Sequence, residues 1–132
     1  KDGNVINTAK YYKANAAANL LTTVEDYGNF LAYVLNGAGL SHEVFEAMTS
    51  NQVKLKDNNY FGLGWEKITG FSNDEYALLH SGKDPGVSTL AIIFPKSKKG
   101  YLIFLNGDNA EKIYELLLTK YLYLGNELWN KK

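Results

Sequence analysis

The stretch Val87-Ser88-Thr89-Leu90-Ala91-Ile92-Ile93-Phe94 constrains the fold more than any other part of the chain. It is close to an unbroken apolar run, bounded by Pro85-Gly86 before it and by Pro95 and a lysine-rich turn after it, and it reads as a strand. A strand that alternates polar and apolar residues needs cover on one face only. An unbroken apolar strand needs cover on both. The chain must therefore place structure on the two sides of a sheet, and all of it has to come from 132 residues.

Three further strands are predicted around this one. Tyr60 to Ile68 reads as a strand with flexible points at Gly62 and Gly64 and with Gly70 just beyond it. Glu75 to His80 reads as the next, ended by Gly82-Lys83-Asp84-Pro85-Gly86, and Tyr101 to Leu105 as the last, after the turn Lys96-Ser97-Lys98-Lys99-Gly100. Connections this short make antiparallel hairpins. Upstream the apolar period changes to 3–4 residues. Thr23-Val24-Glu25-Asp26 is a helix-capping arrangement, followed by an apolar stripe of Val24, Tyr27, Leu31, Val34 and Leu35 and stopped by Asn36-Gly37. Ser41 caps a second, short helix with Val44, Phe45 and Met48 facing inward. Asp108 caps a final helix, with Glu111 three residues on and Ile113, Leu117, Leu124 and Leu128 on its apolar side; Tyr121, Tyr123 and Trp129 rest on the sheet.

The expected fold is α+β, with an antiparallel four-stranded sheet preceded by two helices and followed by a C-terminal helix packed on the sheet. One domain is expected over 1–132, with a helical segment at 16–50, the sheet at 60–106 and the C-terminal helix at 108–129. One helix cannot cover both sheet faces, so the first two helices cover the second face or that face takes a partner. Residues 1–15, with Tyr11 and Tyr12, read as an irregular lead-in, and Ala16-Ala17-Ala18 as a small-residue patch that permits close backbone packing.

Composition removes several function classes. All fourteen basic residues are lysine, and fourteen carboxylates cancel them. A neutral chain without arginine lacks the footprint of nucleic-acid binding and the bidentate forks used for phosphate. No cysteine is present, so disulfides and thiol chemistry are excluded, and two histidines, His42 and His80, cannot make a histidine-rich metal site. No metal and no cofactor are expected. No apolar run approaches the roughly 18 residues that span a membrane. The polar start Lys1-Asp2-Gly3-Asn4 has no apolar signal-peptide core and no initiator methionine, which suggests a processed or excised chain.

Chemistry concentrates at His80-Ser81-Gly82, followed by Pro85 and Gly86. An imidazole near neutral pH, a hydroxyl and a glycine at a strand end suit an extended substrate, the glycine allowing close approach to the strand edge. The bland alternative is a turn with a solvated histidine. Trp65, on the neighbouring strand, either walls a cleft there or packs in the core. His42 reads as a solvated helix residue, Asp26 as favourable charge at a helix N-terminus, and Lys96, Lys98 and Lys99 as solvation of a turn.

Taken in order, these segments resemble the C-terminal part of the serine β-lactamase and penicillin-binding-protein superfamily, most of all its class C, esterase and D-aminopeptidase branch. The resemblance runs through Ala17 to Phe30, with its small residues and Thr22-Thr23-Val24-Glu25-Asp26 helix start, then Leu40-Ser41 and Phe61-Gly62-Leu63-Gly64-Trp65. It continues through His80-Ser81-Gly82 with Pro85-Gly86, where relatives have H-x-G or K-T-G, to the hairpin from Phe94-Pro95 through Gly100 to Leu105-Asn106. The resemblance implies that His80 binds a substrate carboxylate and shuttles protons and that Ser81 hydrogen-bonds the substrate. It further implies that the strand edge at Gly82 holds the acyl side and that the backbone N–H of Lys83 is one oxyanion-hole donor. It also implies that the last strand pairs with an N-terminal strand, and a location outside the cytoplasm, periplasmic or secreted.

The family's nucleophile sits in S-x-x-K, where a lysine one helical turn away activates the serine. None of the serines at 41, 50, 72, 81, 88 and 97 is followed by lysine at that spacing. Tyr27-Gly28-Asn29 matches Y-x-N formally, but on a helix its two side chains lie about 200° apart. The expected nucleophile and base therefore lie upstream of Lys1, and no catalytic set is complete in this chain. Three readings stand: an inactive C-terminal fragment of a β-lactamase-like serine hydrolase acting in its parent on a small molecule or peptide; a non-catalytic binding or dimerisation module that meets a missing N-terminal segment or a second copy through its last strand; and, more weakly, a carrier of apolar ligands. The parent's substrate, whether β-lactam, D-amino-acid peptide or ester, stays open.

Overall fold

A computed structural model describes residues 12–131. Most of the lead-in, residues 1–11, lies outside the described residues. The chain forms α1 (Val24–Leu35), α2 (His42–Thr49), strands β1 (Val53–Lys56), β2 (Asn59–Phe61), β3 (Glu66–Ile68), β4 (Ala77–Asp84), β5 (Val87–Phe94) and β6 (Lys99–Leu105), and then α3 (Ala110–Tyr121) and α4 (Gly125–Lys131). The caps of the first two helices are the ones the sequence predicts. The Asp26 N–H donates to Thr23 Oγ1 at 3.1 Å and the Val44 N–H to Ser41 Oγ at 3.4 Å. Helix α1 stops at Asn36, and Gly37 follows with φ of +93°.

The sheet has six strands in the order β1-β2-β3-β4-β5-β6, every neighbouring pair antiparallel. The expected number was four. Two local causes account for the difference. The segment read as one strand, Tyr60 to Ile68, is a hairpin: the Gly62 N–H donates to the Trp65 carbonyl at 2.7 Å and Gly64 takes φ of +88°, a conformation that suits glycine. Strand β1, Val-Lys-Leu-Lys, is exposed along its whole length, so its alternation marks no core face. The hairpin docks on α2 through the Leu63 N–H, which donates to the Met48 carbonyl at 3.0 Å. A Cβ at Gly62 would press on that same carbonyl.

Both faces of β5 are covered. One face carries Ile68, Ala77, Leu79, Leu90, Ile92 and Phe94 against Leu118 of α3 and Leu128 of α4. The other carries Leu78, Ala91 and Ile93 against Trp65 and against Leu31 and Val34 of α1. Leu90 to Phe94 are all buried, the double cover that an unbroken apolar strand requires.

Other expectations fail for identifiable reasons. The C-terminal helix is two helices, broken where Leu124 takes φ of +53° and the Tyr123 N–H donates to Tyr101 Oη at 2.8 Å. Gly125 packs so closely on the Leu118 carbonyl that a Cβ has no room there. The N-cap of α3 is Asn109, without a side-chain bond, while Asp108 Oδ1 accepts from the Gly86 N–H at 2.9 Å and ties the β4–β5 turn to the helix. Ile113 and Tyr121 are exposed, whereas Tyr123 and Trp129 pack on the core as expected. Val24 and Val44 turn outward although Phe45 and Met48 turn in, and Ala16-Ala17-Ala18 is exposed rather than closely packed.

Candidate functional site

Strand β4 changes character along its length. Ala77, Leu78 and Leu79 are buried, and everything from His80 to Asp84 is exposed. The change coincides with the end of β3, whose Glu66 pairs with Leu79. On its other side β4 stays paired with β5 as far as Asp84 opposite Val87. Among the described residues no strand covers the β3-side edge of β4 beyond Leu79. Such an edge offers backbone N–H and C=O groups to an extended chain. The strand does not stop at His80, as the sequence reading had it, but runs to the Pro85-Gly86 turn, where Gly86 has φ of +74°.

The four sequence-predicted residues all lie on this ledge. The His80 ring stands edge to face with Trp65, centroids 6.3 Å apart. Trp65 is 6% exposed and belongs to the core on the α1 side, which resolves its two readings towards packing, with only a ring edge presented to His80. Ser81, the next residue on the strand, turns to the opposite face. There it lines a cavity of about 440 Å³ with Lys83, Ser88, Asp108, Tyr114 and Trp129. The Tyr114 hydroxyl is buried without a partner, and burial raises its pKa above the usual phenol value. Gly82 lies close under β5: a Cβ there would stand 2.8 Å from Thr89 Oγ1, so the threonine side chain would have to shift to admit one.

A second pocket, of about 320 Å³, opens at the head of the ledge between Phe61, Gly64, Glu66, Leu79, His80 and Ser81. Sequence reasoning missed Phe61 and Glu66, because a single strand over 60–68 does not bring them to this place. Gly62 and Gly64 carried the signal, since paired glycines within a strand pattern mark a turn. Glu66 Oε1 accepts from Asn59 Nδ2 at 2.7 Å, and Asn59 is 4% exposed.

The remaining candidates lie elsewhere. His42 is exposed on α2, 3.6 Å from Glu46 one turn on. Tyr27 packs edge to face on Phe104 while Asn29 is exposed, so they do not form a Y-x-N pair. The lysine-rich turn does more than solvate: Lys96 Nζ lies 2.6 Å from Asp74 Oδ2, raising the lysine pKa and lowering the carboxyl pKa, Lys98 Nζ donates to the Leu35 carbonyl, and Lys99 Nζ sits 3.7 Å over the Tyr123 ring. Among the described residues no three His, Asp or Glu side chains gather as a metal site. No described helix is long and apolar enough to cross a membrane.

No protein-family model matches the sequence, and no curated protein matches it. A solved structure does match: a penicillin-binding protein from Bacillus halodurans superposes with a TM-score of 0.60 over 72% of this chain, at 19% identity. The architecture is thus penicillin-binding-protein-like, an antiparallel sheet with helices on both faces. At that identity the likeness is one of fold, and this chain spans 29% of the length of the matched structure.

Proposed function

We propose that this chain is the C-terminal, substrate-binding part of a penicillin-binding-protein-like serine hydrolase, lacks the nucleophile and is inactive by itself. The observation that carries the reading is the coincidence of two things at His80: the H-x-G block of the sequence resemblance and the opening of the β4 edge beyond Leu79. In this reading an extended acyl substrate lies along His80–Lys83. His80 takes the polar end of the substrate and relays protons, Ser81 hydrogen-bonds it, and the Lys83 N–H stabilises the developing oxyanion together with a donor from the nucleophile's own segment. The class C, esterase and D-aminopeptidase branch rests on the sequence blocks, and export from the cytoplasm follows from family habit.

The test has two arms. Hydrolysis of a chromogenic β-lactam and of p-nitrophenyl acetate by this chain should match buffer, whereas serine-dependent turnover lost on a single serine substitution overturns the reading. Millimolar N-acetylated dipeptide should shift the backbone amide resonances of His80, Ser81 and Lys83 more than those of β1. Shifts spread evenly over the sheet count against it.

A second reading, assembly through the last strand, is favoured by one observation: β6 ends the sheet, and among the described residues no strand pairs with its outer edge. A second copy pairing there would give a dimer by light scattering, with β6 amides protected from exchange in proportion to protein concentration. A monomer at high concentration, with β6 protected regardless, rules it out.

A further inference from the structure

We propose that Glu66, oriented by Asn59, makes the pocket at the head of the β4 ledge selective for ligands that carry a protonated amino group. This rests on the reading of the ledge as a ligand site and adds the charge class of what enters it.

The register builds the pocket. Phe61 pairs with Glu66, and Glu66 pairs with Leu79, so the three form one row across β2, β3 and β4 on a single face of the sheet. Ser81 lies two residues beyond Leu79 and shares that face. The row ends where β3 ends, so the Glu66 carboxylate stands at the entrance to the uncovered edge. Phe61 and Leu79 give the pocket apolar walls, and Ser81 gives it a hydroxyl. Among the lining residues Glu66 is the only carboxylate and no lysine joins it; the one basic side chain, His80, belongs to the opposite face of the strand, edge to face with Trp65. Lys67, its chain neighbour, points to the other face, 4.7 Å over the Tyr76 ring.

The carboxylate is positioned rather than loose. Asn59 donates its Nδ2 to Glu66 Oε1, and that choice leaves Asn59 Oδ1 buried with no partner. A buried amide oxygen without a hydrogen bond is costly and calls for an explanation. The demand of Glu66 for a donor supplies one, because the flipped amide would turn oxygen towards oxygen. An ammonium group entering the pocket meets this fixed carboxylate beside the Phe61 ring and the Ser81 hydroxyl. A carboxylate entering it meets like charge, so discrimination comes from repulsion as well as attraction.

Benzylamine, benzoate and benzyl alcohol share one ring and differ in charge, and each can be titrated into the intact chain while the amide resonances of Leu79, His80 and Ser81 are followed. Benzylamine should shift them at a concentration at least fivefold lower than benzoate, with benzyl alcohol between the two. Raising sodium chloride from 20 to 500 mM should shrink the difference, and Glu66→Gln should remove it. Equal response to benzylamine and benzoate, preference for benzoate, or an unchanged preference in a folded Glu66→Gln overturns the assignment to Glu66 and leaves the ledge standing. No response to any of the three probes overturns the ledge itself. The comparison of probes and the salt series need no variant, so they decide the matter even where Glu66→Gln fails to fold.

Discussion

The indole of Trp65 and the imidazole of His80 meet edge to face, with 83° between their planes, and so join the buried tryptophan of the β2–β3 hairpin to the first exposed residue of the ledge. The two rings contribute very unequally. Trp65 is packed among Leu31, Val34, Leu78 and Ile93, and its truncation to alanine should cost about 3–5 kcal/mol. His80 is exposed and loses little beyond the ring pair, about 0.5–1.5 kcal/mol for His80→Ala. Urea unfolding followed by far-ultraviolet circular dichroism measures both. A His80→Ala loss equal to that of Trp65→Ala would make the imidazole a structural group and remove it from the site.

Two glycines in helices should respond in opposite directions. Gly28 lies within α1 with open space where a Cβ would go, so Gly28→Ala should stabilise by about 0.5–1 kcal/mol through helix propensity. Gly125 opens α4 against the Leu118 carbonyl, and Gly125→Ala should destabilise by about 1–3 kcal/mol because the α3–α4 corner must shift. Thermal unfolding midpoints of the two variants should fall on either side of the parent. A rise for Gly125→Ala would mean that the corner adapts freely and does not fix the packing of Leu118 and Leu128.

How much of this was legible follows from what each signal depends on. Local signals were readable: Thr23 and Ser41 as caps, Asn36-Gly37 as a stop, and the near-continuous apolar run at Val87–Phe94 as a strand, covered on both sides from Leu90 to Phe94. Signals set by tertiary contact were not. The Gly62–Trp65 turn is fixed by a hydrogen bond to Met48 from a different element, and β1 carries no burial pattern because both of its faces are exposed. The helix break at Leu124 depends on Tyr101 receiving the Tyr123 N–H. In the site, His80 and Ser81 announce themselves by residue type. Glu66 and Asn59 are ordinary polar residues until the hairpin register places Glu66 opposite β4 and Asn59 beside it on the neighbouring strand.

Glu75 shows the same dependence on fold, and its removal should destabilise the chain. It is 4% exposed, and its carboxylate accepts from the N–H groups of Lys96 and Ser97 at 3.2 and 2.8 Å, closing the β5–β6 turn onto the start of β4. It also accepts from its neighbour Tyr76 at 3.0 Å. Glu75→Ala leaves those donors, at half-buried Tyr76 and Ser97 and exposed Lys96, to water or without a partner, so the variant should lose about 1–3 kcal/mol. Glu75→Gln keeps one acceptor oxygen and should retain part of the stability. Equal stability of Glu75→Ala and the parent in urea would show that water replaces the carboxylate in the turn.

Acid should unfasten α4 through Glu127. Its carboxylate accepts from Ser72 Oγ at 2.7 Å and from the Ser72 N–H at 2.9 Å, and these two bonds, ahead of the Lys131 charge, hold its pKa below the ordinary glutamate value. A group whose folded pKa is depressed contributes stability that is fully present above its unfolded pKa and is lost as the pH falls through the folded one. The gap in unfolding midpoint between the parent and Glu127→Gln should therefore be widest near neutral pH. It should close as the pH drops below the ordinary glutamate range of about 4.3, because the protonated parent then resembles the variant. Asp74, depressed by its bond to Lys96, titrates in both proteins and leaves the gap unaffected. Since hydrogen bonds outrank Coulomb attraction here, the neutral-pH gap should survive 0.5 M salt. A gap that stays constant from neutral pH to pH 3, or that salt erases, would show that Ser72 does not hold the carboxylate in solution.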